Sequence, residues 1–238
     1  MYRERRSGLA GAVVWTATRA AGAAPGRVLP DGCMDLIWSS RSGLLVAGPD
    51  SVAQVAAGPA GERYVGLRFP PGTGPAVFGL PAHALRDQRV PLAALWPGPE
   101  VARLTERVAS HHRPGLVLEA VAATRLATDG GPDPLAAPLA AGLAAGREVA
   151  DAADALGLGT RQLHRRSLAL FGYGPKTLAR ILRMRRALAL ARAGTPAAEV
   201  AALTGYADQA HLSREVRSLA GVPLRQLLAP RPASRPPG

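Results

Sequence analysis

The apolar positions change rhythm along the chain. Between residues 9 and 70 they come in short runs: Val13-Val14-Trp15, Val28-Leu29, Met34 to Trp38, Leu44 to Ala47 and Tyr64 to Phe69. Pro25-Gly26 and Gly48-Pro49 punctuate them. Short runs bounded by Pro and Gly predict strands, here a small, mostly antiparallel sheet or open barrel. From Pro81 the rhythm turns helical. Pro81-Ala82-His83-Ala84-Leu85 and Pro91 to Trp96 predict short helices opened by proline, whose missing N–H is not needed in a first turn. Glu100 to His111 carries Val101, Leu104 and Val108 on one face, and Gly115 to Thr128 carries Leu118, Val121, Ala122 and Leu126 roughly in line. Both predict longer amphipathic helices.

The last third states one pattern twice. Val149-x-x-Ala152-Ala153-x-x-Leu156-Gly157-Leu158 returns as Ala197-x-x-Val200-Ala201-x-x-Thr204-Gly205-Tyr206. After each glycine comes a second short helix, through Leu163-His164-Arg165 and then Leu212-Ser213-Arg214, and each unit closes on a glycine, Gly172 or Gly221. The spacing of roughly 48 to 49 residues marks a repeated supersecondary unit. Apolar residues at i, i+3, i+4 and i+7 bury one helix face. Gly157 and Gly205 sit where the chain must reverse, and Thr160 and Asp208 are placed to cap the helices that follow. Helix, glycine turn, helix is the helix-turn-helix, whose second helix enters the DNA major groove. A long helix from about Pro175 to Ala193, ended by Gly194, joins the units and offers Leu178, Ile181, Leu182, Met184 and Leu188 to both.

Charge supports that partner. The 238-residue chain has a net charge of +12. Residues 147–230 hold thirteen basic and six acidic side chains, against fourteen and eleven in residues 1–146. Such an excess suits a polyanion. One cysteine, Cys33, excludes an intrachain disulfide and a thiolate-rich zinc site. No cofactor and no metal is expected. Arg3-Glu4-Arg5-Arg6 ahead of Gly8 to Ala17 has the outline of a secretory signal, but Glu4, Thr16, Thr18 and Arg19 interrupt it. There is no run of about 20 apolar residues to span a membrane, so a cytoplasmic protein is expected.

On the first recognition helix, Arg161, His164 and Arg165 lie within about a turn of one another in the half that meets base edges. Arginine matches guanine O6 and N7 with two hydrogen bonds, about 1–3 kcal/mol of discrimination. Arg166 points to another side, toward phosphate or solvent. On the second, Gln209, His211, Ser213 and Arg214 are the candidates, and glutamine suits adenine. Lys176, Arg180, Arg183 and Arg186 of the joining helix are placed to reach phosphates, which orient without reading sequence. The expected DNA-binding set is Thr160, Arg161, His164, Arg165, Arg166, Lys176, Arg180, Arg183, Asp208, Gln209, Ala210, His211, Ser213 and Arg214.

These segments resemble the AraC/XylS family of bacterial transcription regulators. The matching stretches are Val149-Ala150-Asp151-Ala152-Ala153 with Leu163-His164-Arg165-Arg166, Phe171-Gly172-Tyr173-Gly174-Pro175, Arg183-Met184-Arg185-Arg186-Ala187, and Gly205-Tyr206-Ala207-Asp208-Gln209-Ala210-His211-Leu212-Ser213-Arg214. The resemblance covers roughly residues 135 to 229. It implies recognition helices in successive major grooves about 34 Å apart, with base-facing roles for Arg161, His164 and Arg165 and for Gln209, Ala210 and Arg214. It also implies contact with RNA polymerase. Family members usually carry phenylalanine where this chain has Ser167 and Val216, and Ser-Pro where it has Gly174-Pro175 and Pro223-Leu224; Ser167 puts the firmness of the first unit's packing in question. The N-terminal part also looks like a domain of such regulators, through Leu29 to Asp35, Val46-Ala47-Gly48-Pro49, Val65 to Phe69 with Pro71-Gly72, and Leu92 to Trp96. That resemblance implies effector sensing. Because the family often dimerises, the two helices from Glu100 to Thr128 read either as a homodimer contact or as a cover for the sheet.

The fold class expected is α+β. A mostly antiparallel β regulatory domain with covering helices spans residues 1–128. Residues 129–134, Asp-Gly-Gly-Pro-Asp-Pro, form a linker, and residues 135–229 an all-α double helix-turn-helix. Residues 230–238 make a proline-rich disordered tail. Trp15, Cys33, Asp35, Trp38, Arg68 and Phe69 are the candidate effector-binding residues, for an anionic or aromatic small molecule. The other reading of Asp31, Cys33 and Asp35 is turn aspartates flanking a buried thiol. No histidine lies near Cys33 in sequence to make it a nucleophile, and the protein is not expected to be an enzyme. The function expected is a sequence-specific DNA-binding regulator. Rival readings are a sequence-tolerant architectural DNA binder, an enzyme fused to a regulator, and a regulator whose N-terminal domain binds a protein.

Overall fold

A computed structural model describes residues 2–128 and 130–229. The expected tail, 230–238, and Asp129 of the expected linker lie outside the described residues.

The described residues hold eight strands, seven of them ahead of the first helix: β1 (Tyr2–Arg6), β2 (Val13–Thr18), β3 (Gly26–Val28), β4 (Met34–Ser39), β5 (Gly43–Ala47), β6 (Gln54–Ala56), β7 (Arg63–Phe69) and, after it, β8 (Arg89–Pro91). Six of them form an antiparallel sheet in the order β1-β2-β7-β4-β5-β8, and β3 pairs β6 as a separate ribbon. Register alignment explains why the sheet has two unlike faces. Val14 stands opposite Leu67, Leu67 opposite Leu36, Leu36 opposite Val46 and Val46 opposite Val90. Since side chains alternate across a strand, this row makes one apolar face. The row one residue away carries the charges: Val13 stands opposite Arg68, Arg68 opposite Asp35, Asp35 opposite Ala47 and Ala47 opposite Arg89.

Helices α1 (Gly74–Phe78), α2 (Gly98–Ser110) and α3 (Pro114–Thr128) close over the apolar face. Val101, Leu104 and Val108 of α2 share one core with Val117, Leu118 and Ala122 of α3 and with the sheet. The helices beginning near residues 98 and 114 therefore cover the sheet, and that use consumes the faces expected to be apolar. Helix α3 reaches the sheet at Gly115, where an added Cβ would lie 2.6 Å from Val14 Cγ1. Glu119 then fastens the sheet's first strand. Its carboxylate accepts from Arg5 Nη1 and Nη2 at 3.1 and 2.6 Å, from Ser7 Oγ at 2.6 Å and from the Gly8 amide at 2.9 Å. Burial alone would raise the Glu119 carboxyl, but these donors outweigh it and hold the group down at about 2. The expected short helices appear as 3-10 turns at Ala82–Leu85 and Leu92–Ala94.

The second part is helical: α4 (Ala136–Ala144), α5 (Val149–Ala155), α6 (Thr160–Phe171), α7 (Pro175–Arg192), α8 (Ala197–Thr204), α9 (Gln209–Ala220) and α10 (Leu224–Leu228). Its core centres on α7, whose Leu178, Ile181, Met184, Ala187 and Leu188 are fully buried among Leu163, Phe171, Val200, Leu212 and Val216. Fully burying one such leucine stabilises by about 1.5–3 kcal/mol. The joining helix is thus the shared core of both units. Gly157 and Gly205 take positive φ, 64° and 75°, as the reversal demands.

The two parts touch. Leu29 packs against the helical core, and an added Cβ on Gly172 would meet Pro49 Cγ at 2.6 Å.

Candidate nucleic-acid interface

The two helix-turn-helix units superimpose in sequence position with an offset of 49 residues (Leu163 onto Leu212, Ser167 onto Val216, Gly172 onto Gly221). Each recognition helix, α6 or α9, buries one stripe: Leu163, Ser167, Leu170 and Phe171 in α6, and Leu212, Val216, Leu219 and Ala220 in α9. At 3.6 residues per turn the opposite stripe of α6 is Arg161, Arg165, Leu168, Gly172, and that of α9 is Ala210, Arg214, Arg217, Gly221. Arg161, Arg165, Ala210, Arg214 and Arg217 are all exposed. Arg217 escaped the sequence reading; the 49-residue offset that pairs it with Leu168 was the signal that would have found it.

Around these stripes the expected site residues divide. Arg161, His164, Arg165, Lys176, Gln209, Ala210, Ser213 and Arg214 stand on the exposed surface. Arg166, Arg180 and Arg183 are engaged within the protein. Arg166 Nη2 pairs with Asp133 Oδ2 at 2.5 Å, tying α6 to the segment before α4. Arg180 makes a two-point pair with Glu215 of α9. The Arg183 guanidinium lies 4.5 Å over the Tyr206 ring and donates to the Gly205 carbonyl at 3.4 Å. In this structure these contacts brace the fold. Among the described residues, the ion pairs of the helical part take Arg166 and Arg180 and leave Arg161, Arg165, Arg214 and Arg217 to solvent.

His211 also turns inward. Its ring meets Tyr206 edge-on at 5.3 Å, and its Nδ1 accepts from the Ala207 amide at 3.3 Å. Ser213 Oγ donates back to the Gln209 carbonyl at 2.9 Å. Asp208 caps α9 as expected, its carboxylate accepting from the His211 amide at 2.6 Å. Thr160 does not cap α6: the N-cap is Gly159, with no side-chain bond, and Thr160 is the first helical residue.

Two departures from the family pattern have local causes. Ser167 is fully buried and its Oγ donates to the Tyr173 carbonyl at 2.8 Å. The first unit thus closes its underside with a hydrogen bond where the second uses Val216. Gly174 leaves room for His164, whose Cε1 would stand 2.8 Å from an added Cβ.

In the N-terminal part the expected effector residues separate by face. Trp38 and Phe69 belong to the covered core. Trp15, Asp35 and Arg68 meet on the opposite face. Trp15 Nε1 donates to Asp35 Oδ1 at 2.6 Å, and Arg68 Nε lies 3.5 Å from Asp35 Oδ1 and 3.7 Å from Asp31 Oδ2. Burial raises the Asp35 carboxyl, against the pull of Arg68. Asp31 forms a turn, its Oδ1 accepting from the Cys33 amide at 2.9 Å. Burial pushes the Cys33 thiol up, with the Asp31 and Asp35 charges adding to it, which leaves it a poor nucleophile. Among the described residues no group of three or more His, Cys, Asp and Glu side chains is placed to hold a metal, and no helix is long and apolar enough to cross a membrane.

Residues 152–229 match a family described as a helix-turn-helix domain, and residues 12–91 match a domain of unknown function, DUF6597. Among solved structures the chain is similar to apo ToxT from Vibrio cholerae, at 11% identity and a TM-score of 0.50 over 95% of this chain and 98% of that one. A second ToxT structure from Vibrio cholerae matches at 11% identity and a TM-score of 0.47 over 95% and 97%. Wild-type ToxT with bound unsaturated fatty acid, from the same organism, matches at 13% and 0.45 over 91% and 94%. Comparison with curated proteins gives no match. The first likeness shows a shared fold, an N-terminal β part followed by a helical part. With the family match and the duplicated units, the chain is a DNA-binding transcription regulator. Its residues 152–229 carry an AraC-type helix-turn-helix domain, preceded by the DUF6597 domain at residues 12–91.

Proposed function

We propose that the protein reads two short blocks of DNA sequence in successive major grooves. Arg161, His164 and Arg165 read the first block; Gln209, Ala210, Arg214 and Arg217 read the second. The observation that carries this is the repetition of one exposed stripe at a 49-residue offset, with its arginines left out of the internal ion pairs. Lys176 supplies a phosphate contact at the start of α7. The second unit reads less strictly, because Ala210 offers only a methyl group where the first unit has Arg161. Residues 1–128 act as a regulatory domain and residues 135–229 as the reader. The polar sheet face with Trp15, Asp35 and Arg68 is where the regulatory domain meets a small-molecule effector. The protein works in the cytoplasm, where its DNA is.

Selection of bound duplexes from a random pool tests this reading with the full chain. Two enriched blocks about one helical turn apart are expected. An unenriched pool would overturn sequence-specific reading in favour of architectural binding.

A further inference from the structure

The N-terminal domain grips the C-terminal end of each recognition helix. On α9, Arg27 of β3 donates from Nη1 to the Ala220 carbonyl at 3.1 Å, and the same Nη1 would lie 3.1 Å from a Cβ on Gly221, the stripe's last position. The Ala53 amide donates to the neighbouring Leu219 carbonyl at 2.8 Å. On α6, Arg86 Nη1 donates to the Gly172 carbonyl at 3.5 Å and His83 Nδ1 lies 3.3 Å from the Leu168 carbonyl. These are the last carbonyls of two helices, where partial negative charge gathers and cations are favoured. The N-terminal domain thus places an arginine at the same end of both helices.

The stripes give the placement a second meaning. A recognition helix reads bases with its N-terminal half, so its far end leaves the groove toward the phosphate backbone. Following the α9 stripe, the cations run Arg214, Arg217, Arg27. Following the α6 stripe they run Arg161, Arg165, then a gap at Leu168, the position that in α9 is Arg217. His83 sits against that residue's own carbonyl, and Arg86 comes next. Arg27, His83 and Arg86 are all exposed. The only ion pair that Arg86 makes among the described residues is long, 3.8 Å to Asp87, a carboxylate already held by Ser51 through its amide and hydroxyl at 2.7 and 2.8 Å.

We infer that the N-terminal domain is itself part of the DNA-binding surface, with Arg27 and Arg86 contacting the phosphates beyond the far ends of the second and first recognition helices. The inference rests on the DNA-facing reading of the two stripes. Such contacts add affinity and salt dependence to every sequence alike. They also make DNA affinity depend on how the regulatory domain is seated on the reader.

The test uses the full chain and a fixed mixed-sequence duplex of about four helical turns, with binding followed by anisotropy from roughly 50 to 200 mM salt. Arg27→Gln and Arg86→Gln keep a hydrogen-bond donor for the helix carbonyl and remove the charge. Each is expected to lower affinity and to flatten the slope of log affinity against log salt by about one, and the double variant by about two. Arg27→Lys keeps the charge and is expected to keep the slope; its loss there as well would overturn a charge-based contact. Arg165→Ala and Arg214→Ala run in parallel. If those two weaken binding while Arg27→Gln and Arg86→Gln bind as well as the parent or better, the N-terminal domain stands off the duplex or shields it, and the inference falls. If Arg165→Ala and Arg214→Ala also bind like the parent, the stripes do not face DNA and both readings fall together.

Discussion

Arg180 of the joining helix and Glu215 of the second recognition helix form a two-point ion pair, Nε to Oε2 at 2.9 Å and Nη2 to Oε1 at 3.1 Å. The hydrogen bonds from Arg180 hold the Glu215 carboxyl below the usual range. The pair crosses from the rigid strut to the element that must be aimed. With the Arg180 side chain 41% exposed, it contributes about 0.2–1 kcal/mol to stability, the range of solvent-screened pairs. Its worth lies in orientation.

Arg180→Ala is therefore expected to change the melting temperature little and to leave the salt slope of DNA binding unaltered. It should blur base preference in the second block only. Duplex selection together with a salt titration checks this. A slope flattened by about one would show that Arg180 leaves Glu215 for a phosphate on the bound duplex.

How much of this was legible beforehand depends on the range of the interaction. The helix-turn-helix units were legible because period and glycine position act within one unit: Gly205 and Asp208 do locally what their types suggest, whereas Gly159 takes the cap position expected of Thr160. The strands containing Val14, Leu36, Val46 and Leu67 were legible because each buries an alternating face. Strand β1 was not, since Tyr2–Arg6 is exposed throughout and owes its place to Val13–Ala17 and Glu119. The site was legible by residue type but not by partner. Arg165 and Arg180 look alike in sequence, and only Glu215, 35 positions on, separates a surface arginine from a brace. Trp38 and Phe69 suit a pocket and a core equally by residue type, and strand register places them in the core.

Ser167 offers a test of that packing. Replacing it with alanine leaves the Tyr173 carbonyl without its hydrogen bond in a dry interior, which costs about 1–3 kcal/mol. Ser167→Phe, the residue usual in the family, forces a ring into a space shaped for a hydroxymethyl group, at about 1–3 kcal/mol. Urea unfolding of both variants measures the costs. A stabilising Ser167→Phe would mean that the first unit is underpacked after all.

The Glu119 carboxylate makes stability depend on acid. Its value is about 2 in the folded chain against an ordinary 4.5, so between those values the unfolded chain binds more protons and folding strengthens as pH rises. The contribution is complete above about pH 4.5 and is lost as pH falls toward 2. Urea midpoints across that range should converge between the parent and Glu119→Gln at the acid end and separate above it. A constant difference at all pH values would show that the carboxylate's charge contributes nothing beyond its shape.

Gly174 and His164 form the last pair to test. A Cβ at position 174 would stand 2.8 Å from His164 Cε1 and 3.0 Å from Nδ1, both atoms of an exposed and rotatable ring. The ring can swing away, so Gly174→Ser, the residue usual in the family, should alter stability by no more than about 0.5 kcal/mol, as at surface sites without special constraints. The same swing moves His164 off its present line beside Arg161 and Arg165. Base preference in the first block should shift at the one position His164 faces, while the second block stays unchanged. Duplex selection with this variant decides it: an unaltered first block would remove His164 from the reading set and leave Arg161 and Arg165 to carry it.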